Sequence, residues 1–200
     1  VHLHFEVTPG RLGAFGVVRI EGLEDLRENY VRQELPWAEG ERFSSEKLTK
    51  LRNRLSATNL FDRVRVVTEP TGDDPHRVDV LVALTERLAR TVRLGLGFDT
   101  NLGAYGRLGW EHRNLFGGAE DLTLSAHLSG RVNRAEAEYR RPHLWRPDQD
   151  LVLNLRGKRE NVEAYDSTSG RLSAMVERRL NERWTLAAGG AFRHAVIETV

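Results

Sequence analysis

Arg90-Thr91-Val92-Arg93-Leu94-Gly95-Leu96-Gly97-Phe98-Asp99 decides the fold of the second half of the chain. Val92, Leu94, Leu96 and Phe98 take every second position, and Arg93, Gly95, Gly97 and Asp99 take the ones between. Side chains alternate across a strand, whereas helical faces repeat about every 3.6 residues, so this stretch is a strand with one apolar face and one polar or bare face. Its length matches the roughly nine to eleven residues that a tilted strand needs to cross a bilayer. Soluble strands are typically about five or six residues long.

The alternation persists downstream. After a short turn holding Asn101 and Gly103, Ala104, Gly106, Leu108 and Trp110 alternate with Tyr105, Arg107, Gly109 and Glu111. Leu115-Phe116-Gly117-Gly118 supplies the next turn, and Leu122, Leu124, Ala126 and Leu128 then alternate with Thr123, Ser125, His127 and Ser129. Ala135, Ala137 and Tyr139 follow, then Leu151, Leu153 and Leu155, then Leu172, Ala174 and Val176, then Trp184, Leu186, Ala188, Gly190 and Phe192. About seven strands of about eight to twelve residues are expected, with Trp110, Trp145, Trp184 and Tyr139 near their ends, where membrane barrels carry aromatic girdles. A soluble β-sandwich or lipocalin-like barrel also alternates, but strand length and the polar alternate face favour the membrane barrel. A charge at mid-depth on a lipid face costs about 2 to 4 kcal/mol. The many arginines are therefore expected on the other face, and Arg178, in register with Leu172, Ala174 and Val176, is expected near an interface.

Upstream the pattern is different. Val17-Val18-Arg19-Ile20-Glu21 reads as a short strand closed by Gly22, and Leu26, Tyr30, Val31 and Leu35 recur at helical spacing until Pro36. A second helix is expected from Ser44 or Ser45, either of which can cap it, through Leu48, Leu51 and Leu55, with Asn59 as the left-handed residue that closes it. Val64, Val66 and Thr68 then alternate with Arg63, Arg65 and Val67. A turn-rich stretch over residues 70–75 leads to Val78, Val80, Val82 and Leu84, completing a hairpin. The order is β-α-α-β-β in about 70 residues, an α+β unit with both helices on one sheet face.

Composition excludes several functions. Thirty basic against 29 acidic residues leave a net charge of +1, with no run of like charges, which disfavours a nucleic-acid partner. Cysteine is absent, which removes disulfides, thiolate metal sites and cysteine nucleophiles. No stretch approaches the about 18 consecutive apolar residues of a transmembrane helix. The opening Val1-His2-Leu3-His4-Phe5 lacks the marks of a translation start, so the chain reads as a fragment.

Gly16-Val17-Val18-Arg19-Ile20-Glu21-Gly22, Tyr30-Val31-Arg32, Gly40-Glu41-Arg42-Phe43, Leu48-x-x-Leu51-Arg52-x-x-Leu55 and Leu60-Phe61-Asp62-x-Val64, in that order and spacing, resemble a POTRA domain. The family usually reads Thr-Gly-Leu-Phe where this chain has Thr58-Asn59-Leu60-Phe61. Residues 90–100 and Trp110-Glu111-His112-Arg113-Asn114-Leu115-Phe116-Gly117-Gly118-Ala119-Glu120 resemble the first two barrel strands of the BamA and TamA superfamily, with phrasing most like TamA. The resemblance implies three regions. Residues 1–10 would end a preceding POTRA domain, although they also read as an ordinary N-terminal strand or a disordered tail; residues 15–88 would be a POTRA domain; and residues 89–200 would be the N-terminal part of a transmembrane barrel, about seven of sixteen strands.

The function implied is that of an outer-membrane protein assembly and insertion factor, with its POTRA domain in the periplasm. Its partners would be unfolded outer-membrane or autotransporter clients, outer-membrane lipid, and an inner-membrane or periplasmic protein reached through the POTRA domain. By the same resemblance, Arg90, Val92, Leu94, Gly95, Leu96, Gly97 and Phe98 would be the gate strand that pairs weakly with the last barrel strand and receives clients. The glycines would reduce packing across that seam. Val64, Val66 and Thr68 would form a POTRA edge that accepts a client by main-chain hydrogen bonds. A two-partner secretion transporter and a soluble POTRA-bearing scaffold are the alternatives.

Catalytic and ligand motifs are weak. Gly95-Leu96-Gly97 resembles the start of a dinucleotide fingerprint, but Thr100 stands where its third glycine belongs and no helix follows. Glu111 and Arg113 point to one face and His112 to the other, so the three do not form one cluster. His127, His143 and His194 lack ligand spacing. Neither an enzyme nor a cofactor or metal site is expected.

Overall fold

The computed structural model describes residues 13–70, 76–100, 103–162, 165–181 and 183–199. The expected strand in residues 1–10 and the turn over residues 71–75 lie outside them. The described residues divide into two compact units, one of residues 13–24 and 31–87, the other of residues 25–30 and 88–199.

The first unit is built on β1 (Ala14–Glu21), α2 (Ser45–Ala57), β2 (Phe61–Pro70) and β3 (Arg77–Glu86). A short helix, α1 (Glu28–Gln33), precedes α2. The sheet order is β1-β3-β2, with β3 parallel to β1 and antiparallel to β2. One sheet face carries Val18, Val80, Val82 and Leu84, which bury with Val31, Leu51, Leu55 and Phe61. Burying each such side chain contributes about 1.5 to 3 kcal/mol. Phe15 is fully buried and stacks on Trp37 at 4.3 Å. Asn59 takes φ 61° and closes α2 as its position in the sequence predicts.

Two local expectations change. Helix α1 is six residues long where the apolar spacing suggests ten. At its end Glu34 N and Leu35 N bond to Val31 O and Arg32 O, a tightened turn ahead of Pro36. Before it, Arg27 N donates to Gly117 O at 2.8 Å, while Arg27 O accepts from Tyr30 N at 3.0 Å. Ser44 occupies the N-cap position in extended geometry, but its hydroxyl makes no capping bond.

The second unit is a seven-stranded antiparallel meander: β4 (Arg90–Asp99), β5 (Gly103–Arg113), β6 (Asp121–Ser129), β7 (Val132–Arg141), β8 (Gln149–Val162), β9 (Tyr165–Arg179) and β10 (Thr185–Thr199). Every strand pairs with its neighbour in sequence, and the register builds two opposite faces. Val92, Trp110, Leu124, Ala137, Leu155, Leu172 and Phe192 form one row across all seven strands. One residue along, Arg93, Gly109, Ser125, Glu136, Arg156, Arg171 and Arg193 form the next row on the other face. Strands β8 to β10 have 14 or 15 residues, more than expected. Their ladders run on beyond the apolar rows into Asn161, Asp166 and Glu198, where the hydrophobic signal has ended but backbone pairing has not.

The link between β5 and β6 is knotted around a carboxylate. Glu120 is 7% exposed, and its Oε2 accepts from Gly118 N at 2.8 Å and Phe116 N at 3.3 Å. Asn114 and Ala119 hold left-handed conformations, and Asn114 Oδ1 accepts from Ala119 N at 3.0 Å.

Candidate functional site

Edges, not pockets, are the distinctive features of both units. In the first unit the outer side of β1 is partly closed, because Phe43 N donates to Gly13 O and Phe15 N to Glu41 O, with an isolated bridge between Ala14 and Arg42. The outer side of β2 has no ladder partner among the described residues. Val64, Val66 and Thr68 lie on this strand opposite Leu84, Val82 and Val80, on the helix-bearing face. Beside β1, the Lys47 ammonium bonded to Glu41 holds that carboxyl below its ordinary range.

In the second unit β4 is an end strand. All ten of its residues pair with β5, from Arg90 opposite His112 to Asp99 opposite Gly103. The alternate backbone groups that point away from β5 have no strand partner among the described residues. Val92, Leu94, Leu96 and Phe98 form an apolar ridge, with Leu96 94% exposed. A row this exposed requires an apolar medium or a partner.

The opposite face of β4 is tied into the sheet. Arg93 reaches Glu111 at 2.7 Å, and Glu111 holds Arg113 at 2.7 Å. Gly97 pairs with Tyr105, and a Cβ on Gly97 would collide with the Tyr105 ring. The ring therefore lies over the bare backbone of β4. His127 stacks on Tyr105 at 5.2 Å, and the Arg107 guanidinium stands 4.9 Å from its centre. At Gly95 a Cβ would make only ordinary contact, 3.8 Å from the Arg107 Cβ. The two glycines thus differ: Gly97 is a socket and Gly95 is not. This trio of Tyr105, Arg107 and His127 escapes sequence reading because its members sit on two strands, and only the register brings them together.

A hollow of about 860 Å³ opens on the same polar face, lined in part by Arg93, Arg107, His127, Arg134, Glu136 and Lys158. Its charges are largely paired: Glu136 with Arg156 at 2.5 Å, and Lys158 with Glu160 at 2.6 Å. Among the described residues no three His, Cys, Asp or Glu side chains gather where a metal ion would sit. His112 lies beside Trp110 on the apolar face, and His143 stacks on Tyr30 at 4.9 Å. Arg178 stands one residue from the end of β9, with its Nε 2.8 Å from Asp148 in the connection before β8. That guanidinium holds the Asp148 carboxyl below the usual carboxylate range. The arginine on the apolar face is therefore at a strand end, with its charge matched.

The family model for POTRA, described as a surface antigen variable number repeat, matches residues 14–87. Residues 14–87 are a POTRA domain. The sheet that follows extends the likeness across nearly the whole chain. The chain is 26% identical over 194 residues to the outer membrane protein assembly factor BamA of Neisseria meningitidis, covering 97% of this chain and 23% of that protein. It is 31% identical over 129 residues to BamA of Nitratidesulfovibrio vulgaris, covering 64% of this chain and 16% of that one. Among solved structures, BamA from Haemophilus ducreyi lacking POTRA domains 1–3 matches with a TM-score of 0.79 at 19% identity, over 94% of this chain and 37% of that chain. CdiB from Acinetobacter baumannii matches at 0.64 and 14% identity, over 94% of this chain and 38% of that chain.

The chain is thus a POTRA-plus-barrel segment of the BamA/TamA type, and it spans less than a quarter of the length of these curated relatives. The POTRA domain lies in the periplasm and the β4–β10 sheet in the outer membrane. The row from Val92 to Phe192 faces lipid, and the row from Arg93 to Arg193 faces the barrel interior. No helix among the described residues is long and apolar enough to cross a membrane; the crossing is made by strands.

Proposed function

We propose that this chain is the client-docking and gating part of an outer-membrane protein assembly factor, and that it acts by strand pairing without catalysis. The observation that carries this proposal is β4: it directly follows the POTRA domain and opens the membrane-length sheet, with ten residues laddered to β5 and an exposed apolar ridge of Val92, Leu94, Leu96 and Phe98. An unfolded outer-membrane or autotransporter client pairs first with the free edge of β2, through main-chain hydrogen bonds that make little demand on sequence. It passes next to the β4 edge, where Val92, Leu94, Leu96 and Phe98 share the lipid medium with the client's own apolar row. Arg90, Gly95 and Gly97 complete this gate strand. Outer-membrane lipid and a periplasmic or inner-membrane protein at the POTRA domain are the other partners.

The likeness to CdiB supports a second reading, a two-partner secretion transporter that threads its client through the barrel interior. The BamA likeness has the higher TM-score. Disulfide trapping separates the two, and these 200 residues carry no native cysteine of their own. Single cysteines at Thr91, Arg93 and Gly95 on β4, and at Ser125 on the interior face, are tested in the full-length protein against a β-barrel client carrying single cysteines along one strand. Disulfides require Cα atoms about 4.4 to 6.8 Å apart, so strand pairing yields bridges only at matching registers on β4. Bridges confined to Ser125 would favour threading and overturn the gating proposal.

A further inference from the structure

The helix-free face of the POTRA sheet carries a charge pattern along the docking edge. On β2, Arg63, Arg65, Val67 and Glu69 lie on this face, opposite Thr85, Ala83, Leu81 and Asp79 of β3. Glu69 is already engaged by Arg19, which reaches across from β1 at 3.7 Å. Arg63 and Arg65 are exposed and have no acidic partner among the described residues. The other face of the edge is different in kind, since Val64 and Val66 continue the apolar layer of Val82 and Leu84.

From this we infer that the β2 edge selects its client segment by charge, preferring an extended segment in which acidic residues alternate with apolar ones. The inference rests on β2 being a docking edge, as proposed above. A strand added beside β2 lies about 4.8 Å away and is pleated like it, so its side chains fall alternately on the two faces. Those on the helix-free face come opposite Arg63 and Arg65, and those on the other come opposite Val64 and Val66. Opposite charges directly across two strands attract, and like charges repel. A segment with basic residues on its polar face is therefore disfavoured, while one with two carboxylates at i and i+2 neutralises both arginines. Barrel strands can supply this pattern: Ala135-Glu136-Ala137-Glu138-Tyr139 in β7 of this chain is an example.

Two synthetic peptides provide the test, each with the alternation of residues 135–139 and differing only in Glu or Lys at the polar positions. Binding to the full-length protein in nanodiscs is measured at low and at physiological salt. The acidic peptide is expected to bind roughly tenfold more tightly than the basic one, with the gap narrowing as salt screens the exposed charges. In the R63E/R65E double variant the preference is expected to reverse. Both positions are exposed, so folding is expected to change little, and an R63Q/R65Q variant that abolishes the preference without reversing it checks this. Equal binding of the two peptides to the unaltered protein, or a preference that survives in R63E/R65E, would overturn charge selection and leave the docking edge standing. If neither peptide binds, and cysteines at Val64 and Val66 trap no client, the docking edge fails as well.

Discussion

At the scale of single residues, Gly97 shows how a position without a side chain can be specific. The Tyr105 ring occupies the space a Cβ would need and is contacted by the His127 ring and the Arg107 guanidinium. Gly97→Val forces that ring aside and is expected to destabilise the sheet by about 1 to 3 kcal/mol, as overpacking does. Gly95→Val, where a Cβ would meet only the Arg107 Cβ at an ordinary contact distance, is expected to shift stability by much less. Urea unfolding of the full-length protein in micelles reads both, and Tyr105→Ala combined with Gly97→Val should recover most of the loss. Equal penalties at the two glycines would show that the socket has no energetic role. The sequence marks both positions as bare points in a strand, and nothing in one strand's pattern distinguishes them. The difference lies in the residue of β5 that stands opposite, which register alone decides.

At the scale of elements, much was legible in the pattern. Period-two alternation marks all seven strands of the sheet, and Asn59 marks the end of α2, because both signals are local in the chain. What the pattern misses are element limits set by partners distant in sequence. Ahead of helix α1 Arg27 gives its N–H to Gly117, a partner far along the chain, and β8 to β10 are long because each ladder supports its neighbour beyond the apolar band. The β5–β6 link is a further case, since Leu115-Phe116-Gly117-Gly118 signals a turn without revealing that Glu120 organises it. Glu120→Ala strands the Gly118 and Phe116 N–H groups in a half-buried turn and is expected to cost about 1 to 3 kcal/mol. Glu120→Gln, which keeps an acceptor, should cost less. Limited proteolysis within residues 114–120 would report the loosened turn, and unchanged protection in Glu120→Ala would refute this role.

At the scale of the whole molecule, the two faces of the β4–β10 sheet divide its residues between lipid and barrel interior, and this division is open to a direct test. Leu96→Arg places a charge in the middle of a lipid-facing row, where the cost is about 2 to 4 kcal/mol. Ser125→Arg places the same side chain on the interior face, beside Glu136. Folding yield of the full-length protein into lipid vesicles is expected to fall sharply for Leu96→Arg and to change little for Ser125→Arg; equal yields would contradict the assignment of faces. The sequence by itself determined the α+β unit, the membrane-length strands and the face of each side chain, because capping, helical spacing and alternation act within a few residues of one another. Only the tertiary structure decided that β2 ends the POTRA sheet among the described residues, that Tyr105 covers Gly97, and that Arg63 and Arg65 line that edge with no acidic partner among the described residues. Those facts depend on which strands pair and in what register, and pairing joins residues that no local pattern in the chain connects.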